Sequence, residues 1–168
     1  APGAFTRWHY EGAADGPAYR GATVNVAADL PGRFGTGWGD WTYATYLHEI
    51  GHALGLGHPG AYDSFGEARG GGRRFAEDSE LTSVMSYFRH DGATHQFGSR
   101  AWPVTPQLAD IAAARTLFGP PEAVRPGDTV YGHGTALTGP LSALAAGNDP
   151  VLATLVDTGG RDRLDYAA

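Results

Sequence analysis

The residues best placed to do chemistry lie between His48 and His58, in the run H-E-I-G-H-A-L-G-L-G-H, with Pro59 and Gly60 directly after. A helix turns about 100° per residue, so His48 and His52 stand one turn apart on the same face and can reach one ion. Glu49 lies too far round to ligate with them and flanks the same site instead. Gly55 and Gly57 permit the positive φ angles that end a helix and reverse the chain, which can deliver His58 as a third nitrogen ligand. Three protein ligands leave tetrahedral zinc with one open position, the arrangement of a catalytic site rather than a structural one. A bare H-E-x-x-H arises by chance. The added G-x-x-H needs Gly and His both at fixed offsets, which leaves little room for coincidence. A closed structural site needs a fourth Cys or His, and the chain has no cysteine.

Those side chains need a helix and a turn to carry them. The periodicity predicts a helix from about Trp41 to Leu56, capped by Asp40 or Thr42, with Tyr43, Leu47, Ile50 and Leu54 near one apolar stripe. Upstream, Ala22–Ala28 alternates and is β-branched, as a strand requires. Residues 1–22 read as irregular, with one short strand around Phe5–Tyr10. Pro31–Gly39 reads as a Gly-rich loop, and His58–Ala76 as another, with Gly70, Gly71 and Gly72 as punctuation. A second helix opens at Thr105-Pro106, with a Thr cap and Pro at its first position. It carries Leu108, Ile111, Ala112, Leu117 and Phe118, and stops at Gly119-Pro120-Pro121. Beyond Arg125 the pattern changes to short strand-like runs, Thr129–Tyr131, Val151–Val156 and Leu164–Tyr166, which read as a separate small unit.

Composition bounds the function classes. The 168 residues are one domain's worth of chain. Gly 26 and Pro 11 with only 18% charged residues suit a loop-rich fold of short elements. The formal net charge of −6 argues against nucleic acid or an anionic membrane as partner. No apolar run approaches membrane-spanning length, and Ala1 to Arg7 lack the apolar core of a signal peptide.

Three stretches together resemble the serralysin family, bacterial metalloproteases of the metzincin clan. The long zinc motif is followed by Pro59. Ser83-Val84-Met85-Ser86-Tyr87 resembles the family's Met-turn, which places a methionine beneath the zinc, and Met85 is the only methionine in the chain. Thr105–Gly119 is similar to the family's C-terminal helix. The resemblance implies an α+β fold: a metzincin-type protease domain over residues 1–122, with a small mixed sheet, catalytic helix, Met-turn and C-terminal helix. A short β-rich tail over residues 123–168 would open a calcium-binding β-roll. The family carries more chain before the zinc helix than the 47 residues preceding His48 here. The expectation is therefore either a piece of a longer polypeptide or a reduced N-terminal layer.

For the site, the resemblance implies zinc on His48, His52 and His58, with Tyr87 as a further resting-state ligand that swings to hydrogen-bond the reacting oxygen. Glu49 would be the general base of a zinc endopeptidase cleaving proteins or peptides. In the tail, Arg125, Gly127 and Thr129 would face Asp157, Gly159 and Asp162 across a calcium ion, a hard cation that takes oxygen ligands. A secreted, extracellular bacterial monomer is expected, open to a protein inhibitor. The runner-up is a catalytically idle relative that serves as an inhibitor- or partner-docking module, and intact Glu49 and Tyr87 argue against it. A third reading is a calcium-stabilised scaffold or secretion module in which catalysis is incidental. His9, His90, His95 and His133 have no ligand spacing to one another. Asp63 and Asp78 read as solvated loop residues, though one of them can orient a ligating imidazole through its second nitrogen.

Overall fold

A computed structural model describes residues 3–13, 16–89, 101–145 and 149–166. The chain is mixed α/β. Instead of one small mixed sheet, its strands form three separate two-stranded pairs among the described residues.

The first pair corrects the reading of the N-terminal residues as irregular. β1 (Ala4–Ala13) and β2 (Gly16–Val26) form a long antiparallel hairpin, with Ala4, Thr6 and Trp8 opposite Val26, Val24 and Ala22. Opposed residues share a face, and this face packs on the helix that follows. The register shifts between His9 and Tyr10. Two aromatic tips then anchor the hairpin: Trp8 Nε1 donates to His52 O at 2.9 Å and Tyr19 OH to Ala53 O at 3.0 Å. Those carbonyls belong to the last turn of a helix, where intrahelical donors run out, although His52 O also accepts from Gly55 N at 2.9 Å. Trp8 and Tyr19 are therefore capping groups. The short strand expected around Phe5–Tyr10 lies inside the longer β1, and the run Ala22–Ala28 overlaps the end of β2.

Pro31–Gly39 is not all loop. α1 (Leu30–Phe34) carries Pro in its first turn and buries Leu30. α2 (Trp41–Ala53) follows. Asp40 occupies its N-cap position without bonding into the helix, and its Oδ2 accepts from Gly37 N at 2.7 Å. The expected apolar stripe is wrong at its lower end. Ile50 and Leu54 are exposed, while Thr42, Glu49 and Gly51 are buried. The inward face carries the polar site, so hydrophobicity was a poor guide to it.

Within the predicted 58–76 loop, Ser64 caps a short helix α3 (Phe65–Glu67), which runs on into one wide turn over Ala68–Gly72. β3 (Trp102–Pro103) leads to α4 (Leu108–Phe118). α4 begins after Gln107 rather than at Thr105-Pro106. The Gln107 side chain accepts from the third helical N–H, and Asp110 returns a bond to Gln107 N at 2.8 Å. This capping box satisfies two orphan donors. Leu108, Leu117 and Phe118 are exposed, so α4 meets the core through Asp110 and Ala113 instead. The core cluster is Leu56, Val84 and Met85, with Leu47 and Ala113 packed on it.

The tail strands overlap the predicted runs: β4 (Val130–Gly132) and β6 (Arg163–Asp165) are each shifted by one residue, and β5 (Val151–Leu152) is the shortened start of Val151–Val156. A 3₁₀ turn covers Gly139–Leu144. β4 pairs with β6 in parallel, and β5 pairs with β3. The second pairing stitches the tail to the front of the chain, reinforced where Thr154 N donates to Thr105 Oγ1 at 2.8 Å.

Candidate metal centre and catalytic cleft

α2 presents His48 and His52 on one face, and the chain reverses at Gly55, whose φ is 93°. That reversal lets His52 Nδ1 donate to Leu56 O at 2.9 Å and brings His58 back over the helix. His48 Nδ1 donates to Val84 O at 2.8 Å, and His58 Nδ1 lies 3.3 Å from Asp63 Oδ1. Carbonyl and carboxylate oxygens only accept, so each Nδ1 carries the hydrogen and each Nε2 keeps its lone pair.

The three Nε2 atoms converge. That of His58 lies 3.2 Å from His52 Nε2 and 3.3 Å from His48 Nε2. Zn–N bonds of 2.0–2.1 Å to two corners of a tetrahedron place the nitrogens about 3.3 Å apart. The donor set therefore fits a zinc-sized cation, and among the described residues it is the one His/Cys/Asp/Glu group able to hold a metal ion. Burial is the main reason that the His48 imidazole is pushed down to about 4, helped by His52 and His58 against its bond to Val84. His58 is lowered too, first by burial and then by His52, against its contact with Asp63. Both shifts favour neutral imidazole, the form that binds metal.

Each ligand is held from behind. Met85 is 1% exposed and its Sδ abuts Gly51, so the segment 83–87 lies directly beneath α2. Asp110 of α4 fixes that segment: it accepts from Ser83 Oγ at 2.6 Å and Val84 N at 2.8 Å. Val84 then offers its carbonyl to His48. Sequence reasoning missed Asp110, although a lone carboxylate among the alanines of α4 was the available signal. Asp78 was expected to be solvated and is 3% exposed. It accepts from Tyr62 OH at 2.9 and 3.0 Å and from Ser86 Oγ at 2.6 Å. Burial pushes the Tyr62 hydroxyl up to about 12, so it remains a donor to Asp78. The Tyr62 ring stacks on His58 at 5.4 Å. Asp63, the other candidate, is exposed as expected and does reach an imidazole.

Glu49 is 5% exposed, and Thr6 Oγ1 lies 2.7 Å from its Oε2. Tyr87 stacks against His48 at 5.4 Å and lies 4.6 Å from the His58 ring, with Phe65 stacked on its outer side at 4.7 Å. Burial raises the Tyr87 hydroxyl, followed by the charges of Glu49, Asp63 and Glu67, so it stays protonated. His48, Glu49, Phe65, Tyr87, Trp41 and Trp102 line a cleft of about 850 Å³.

The tail positions come together as two facing segments. Thr129 N donates to Asp162 Oδ1 at 3.0 Å and Thr129 Oγ1 to Gly127 O at 3.1 Å. Arg125, whose φ is 50°, donates through Nη1 to Val156 O at 2.5 Å. Asp157 accepts from Tyr131 OH at 2.6 Å and Gly159 N at 3.1 Å. Asp128, not singled out from the sequence, accepts from Arg161 N at 2.8 Å. Of the remaining histidines, His9 lies 2.8 Å from Thr23 Oγ1 and His133 is exposed. His90 and His95 lie outside the described residues.

A mixed α/β fold around a three-histidine centre fits a metalloprotease domain. No family model matches the chain. It is 35% identical over 136 residues to metalloprotease AprA of Pseudomonas entomophila (strain L48), covering 78% of this chain and 28% of that protein. Serralysin of Proteus mirabilis is 35% identical over 131 residues, covering 77% and 26%. Serralysin C of Dickeya chrysanthemi is 34% identical over 124 residues, covering 73% and 26%. The chain spans about a quarter of the length of the curated relatives it matches. Over the matched stretch the chain is related to the serralysin family.

Proposed function

We propose that the chain carries the catalytic centre of a secreted zinc endopeptidase acting on proteins or peptides. The observation that carries this reading is the convergence of three Nε2 atoms 3.2 and 3.3 Å apart, each with its Nδ1 already committed to an acceptor. The relatives support the class of reaction, since one is named a metalloprotease and others serralysins. No helix among the described residues is long and apolar enough to cross a membrane.

His48, His52 and His58 would hold the ion, with Tyr87 as the further resting ligand. When bound, zinc supplies a Lewis acid that acidifies water and polarises a carbonyl. The residues of the chain do the rest. Glu49 takes the proton of the attacking water and passes it to the departing amine. Thr6 engages Oε2, which leaves Oε1 for that transfer. Tyr87, kept protonated, donates to the oxygen on which charge develops. The apolar walls of the cleft exclude water around the reacting bond. Residues 1–122 make up the metzincin-type domain in this reading. Residues 123–168 open a β-roll-like segment in which Arg125, Gly127, Thr129, Asp157, Gly159 and Asp162 hold calcium.

Zinc content and cleavage of a quenched fluorescent protein substrate test the reading together. One equivalent of zinc, with cleavage abolished by a chelator and restored by zinc, is the expected result. A zinc-loaded chain that cleaves nothing but binds a protein inhibitor would establish the docking module in its place.

A further inference from the structure

The hairpin does more than shield α2. Its Thr6 hydroxyl has one hydrogen and faces two acceptors at the same distance, Glu49 O and Glu49 Oε2, both 2.7 Å away. The residues are 43 apart in sequence, so this contact is made by the fold rather than by the helix. It pins the backbone and the carboxylate of one residue to a single point on β1. Glu49 is 5% exposed, and among the described residues Thr6 is the side chain seen to bond its carboxylate. A buried glutamate has three side-chain torsions to fix, and a carboxylate turned by one rotamer no longer faces the centre. Proton transfer demands heavy atoms within about 2.6–3.2 Å of each other, so that orientation bears directly on rate.

We infer that Thr6 is the positioning residue for Glu49, holding Oε2 back toward β1 so that Oε1 faces the cleft. The inference rests on the peptidase reading and assigns the hairpin a part in turnover. Thr6 touches no substrate and acts only through Glu49. It is not needed to dock the hairpin, because Trp8 and Tyr19 bond the α2 carbonyls of His52 and Ala53 independently. Loss of one hydroxyl therefore leaves two anchors in place.

The test uses the full 168-residue chain loaded with zinc. Thr6→Val keeps the shape and removes the hydroxyl, while Thr6→Ser keeps the hydroxyl and removes the methyl. Thr6→Val is expected to keep its zinc, hold KM within about twofold, and lower kcat about tenfold, the factor that one hydrogen bond's worth of orientation represents. Thr6→Ser should return kcat to within about twofold of the parent. A kcat in Thr6→Val equal to the parent's overturns the inference. So does a fall in kcat that Thr6→Ser shares, or one that follows lost zinc. A readout without catalysis separates this from the reading beneath it: a double-mutant cycle of Thr6→Val with Glu49→Ala, followed by thermal melting. Coupling between the two changes is expected, and additivity overturns the contact itself. A parent chain that cleaves nothing while the coupling persists overturns the peptidase reading, and Thr6's part in turnover with it.

Discussion

At the residue scale, holding a metal and moving a proton would fall to different side chains of the proposed centre. Glu49 stands outside the group of three imidazoles, lines the cleft beside His48, and has its Oε2 bonded by Thr6. Glu49→Ala is therefore expected to keep its zinc and lose turnover by about 10²–10⁴-fold, the usual worth of a general base. Metal analysis beside kinetics checks it, and zinc lost in step with activity would remove Glu49 from that role. Tyr87 is packed by rings on several sides, so Tyr87→Phe should fold and retain metal. Its kcat should fall while KM moves little, the pattern of an interaction made only in the transition state. An unchanged kcat would leave Tyr87 as packing.

The histidines also tie stability to pH. His48 takes up a proton near 4 in the folded metal-free chain and near 6.5 when unfolded. The unfolded state thus binds more protons between those values, and stability falls as pH falls. The contribution is complete above about pH 6.5 and is lost toward pH 4, by an order of about 3 kcal/mol. Melting of zinc-stripped chain across that window should show a steady decline, and a flat profile would contradict the burial of His48. The histidines and Glu49 were legible in the sequence because their spacing is local: three offsets along one helix and one turn determine which side chains meet. Thr6, Asp110 and Asp78 were not, because each reaches the site across the fold, 43, 26 and 16 residues from its partner at Glu49, Val84 and Tyr62.

At the scale of elements, α2 is squeezed between the hairpin on one side and the Met85 segment on the other. Its ends were predicted to within three residues, since Asp40 and Gly55 punctuate the chain clearly. Its faces were read less well, because Ile50 and Leu54 point outward and the inward side is occupied by Glu49 and Gly51. Gly51 shows what that squeeze requires. Alanine has the better helix propensity, by about 1 kcal/mol. Here, however, a Cβ would overlap Met85 Sδ, and a side chain 1% exposed has nowhere to retreat. Overpacking of this kind costs about 1–3 kcal/mol. Gly51→Ala is therefore expected to melt earlier than the parent and bind zinc more weakly, as the helix lifts off its support. A higher melting temperature would show that the Met85 segment yields easily. α4 was misread for a related reason: its start is set by the Gln107–Asp110 side-chain exchange, which outcompetes the proline signal at Pro106.

At the scale of the molecule, the two halves of the tail meet through side-chain-to-backbone bonds between residues more than 30 apart, such as Thr129 to Asp162 and Val124 to Thr158. Calcium held there would close a long loop. With a Kd near ~10⁻⁴ M, calcium at ~1 mM stabilises by about 1.4 kcal/mol, or roughly 3–6 °C for a chain of this size. The parent should show that gain with zinc held constant, and Asp157→Ala should not. Equal responses would dismiss the calcium assignment.

The pairing of β3 with β5 has a further consequence, in time rather than in space. Trp102 and Pro103 line the cleft, and the strand that holds them is Val151–Leu152. During synthesis the whole metal-binding run and the Met85 segment leave the ribosome before that strand exists. Parallel pairing between distant residues is also slow to form once both partners are present. The chain thus has its three imidazoles early and its cleft wall late. In the proposed peptidase, a nascent chain that stops at residue 145 would have its metal ligands beside a cleft whose Trp102–Pro103 wall is not yet held, with that part of the grip on a substrate still to come.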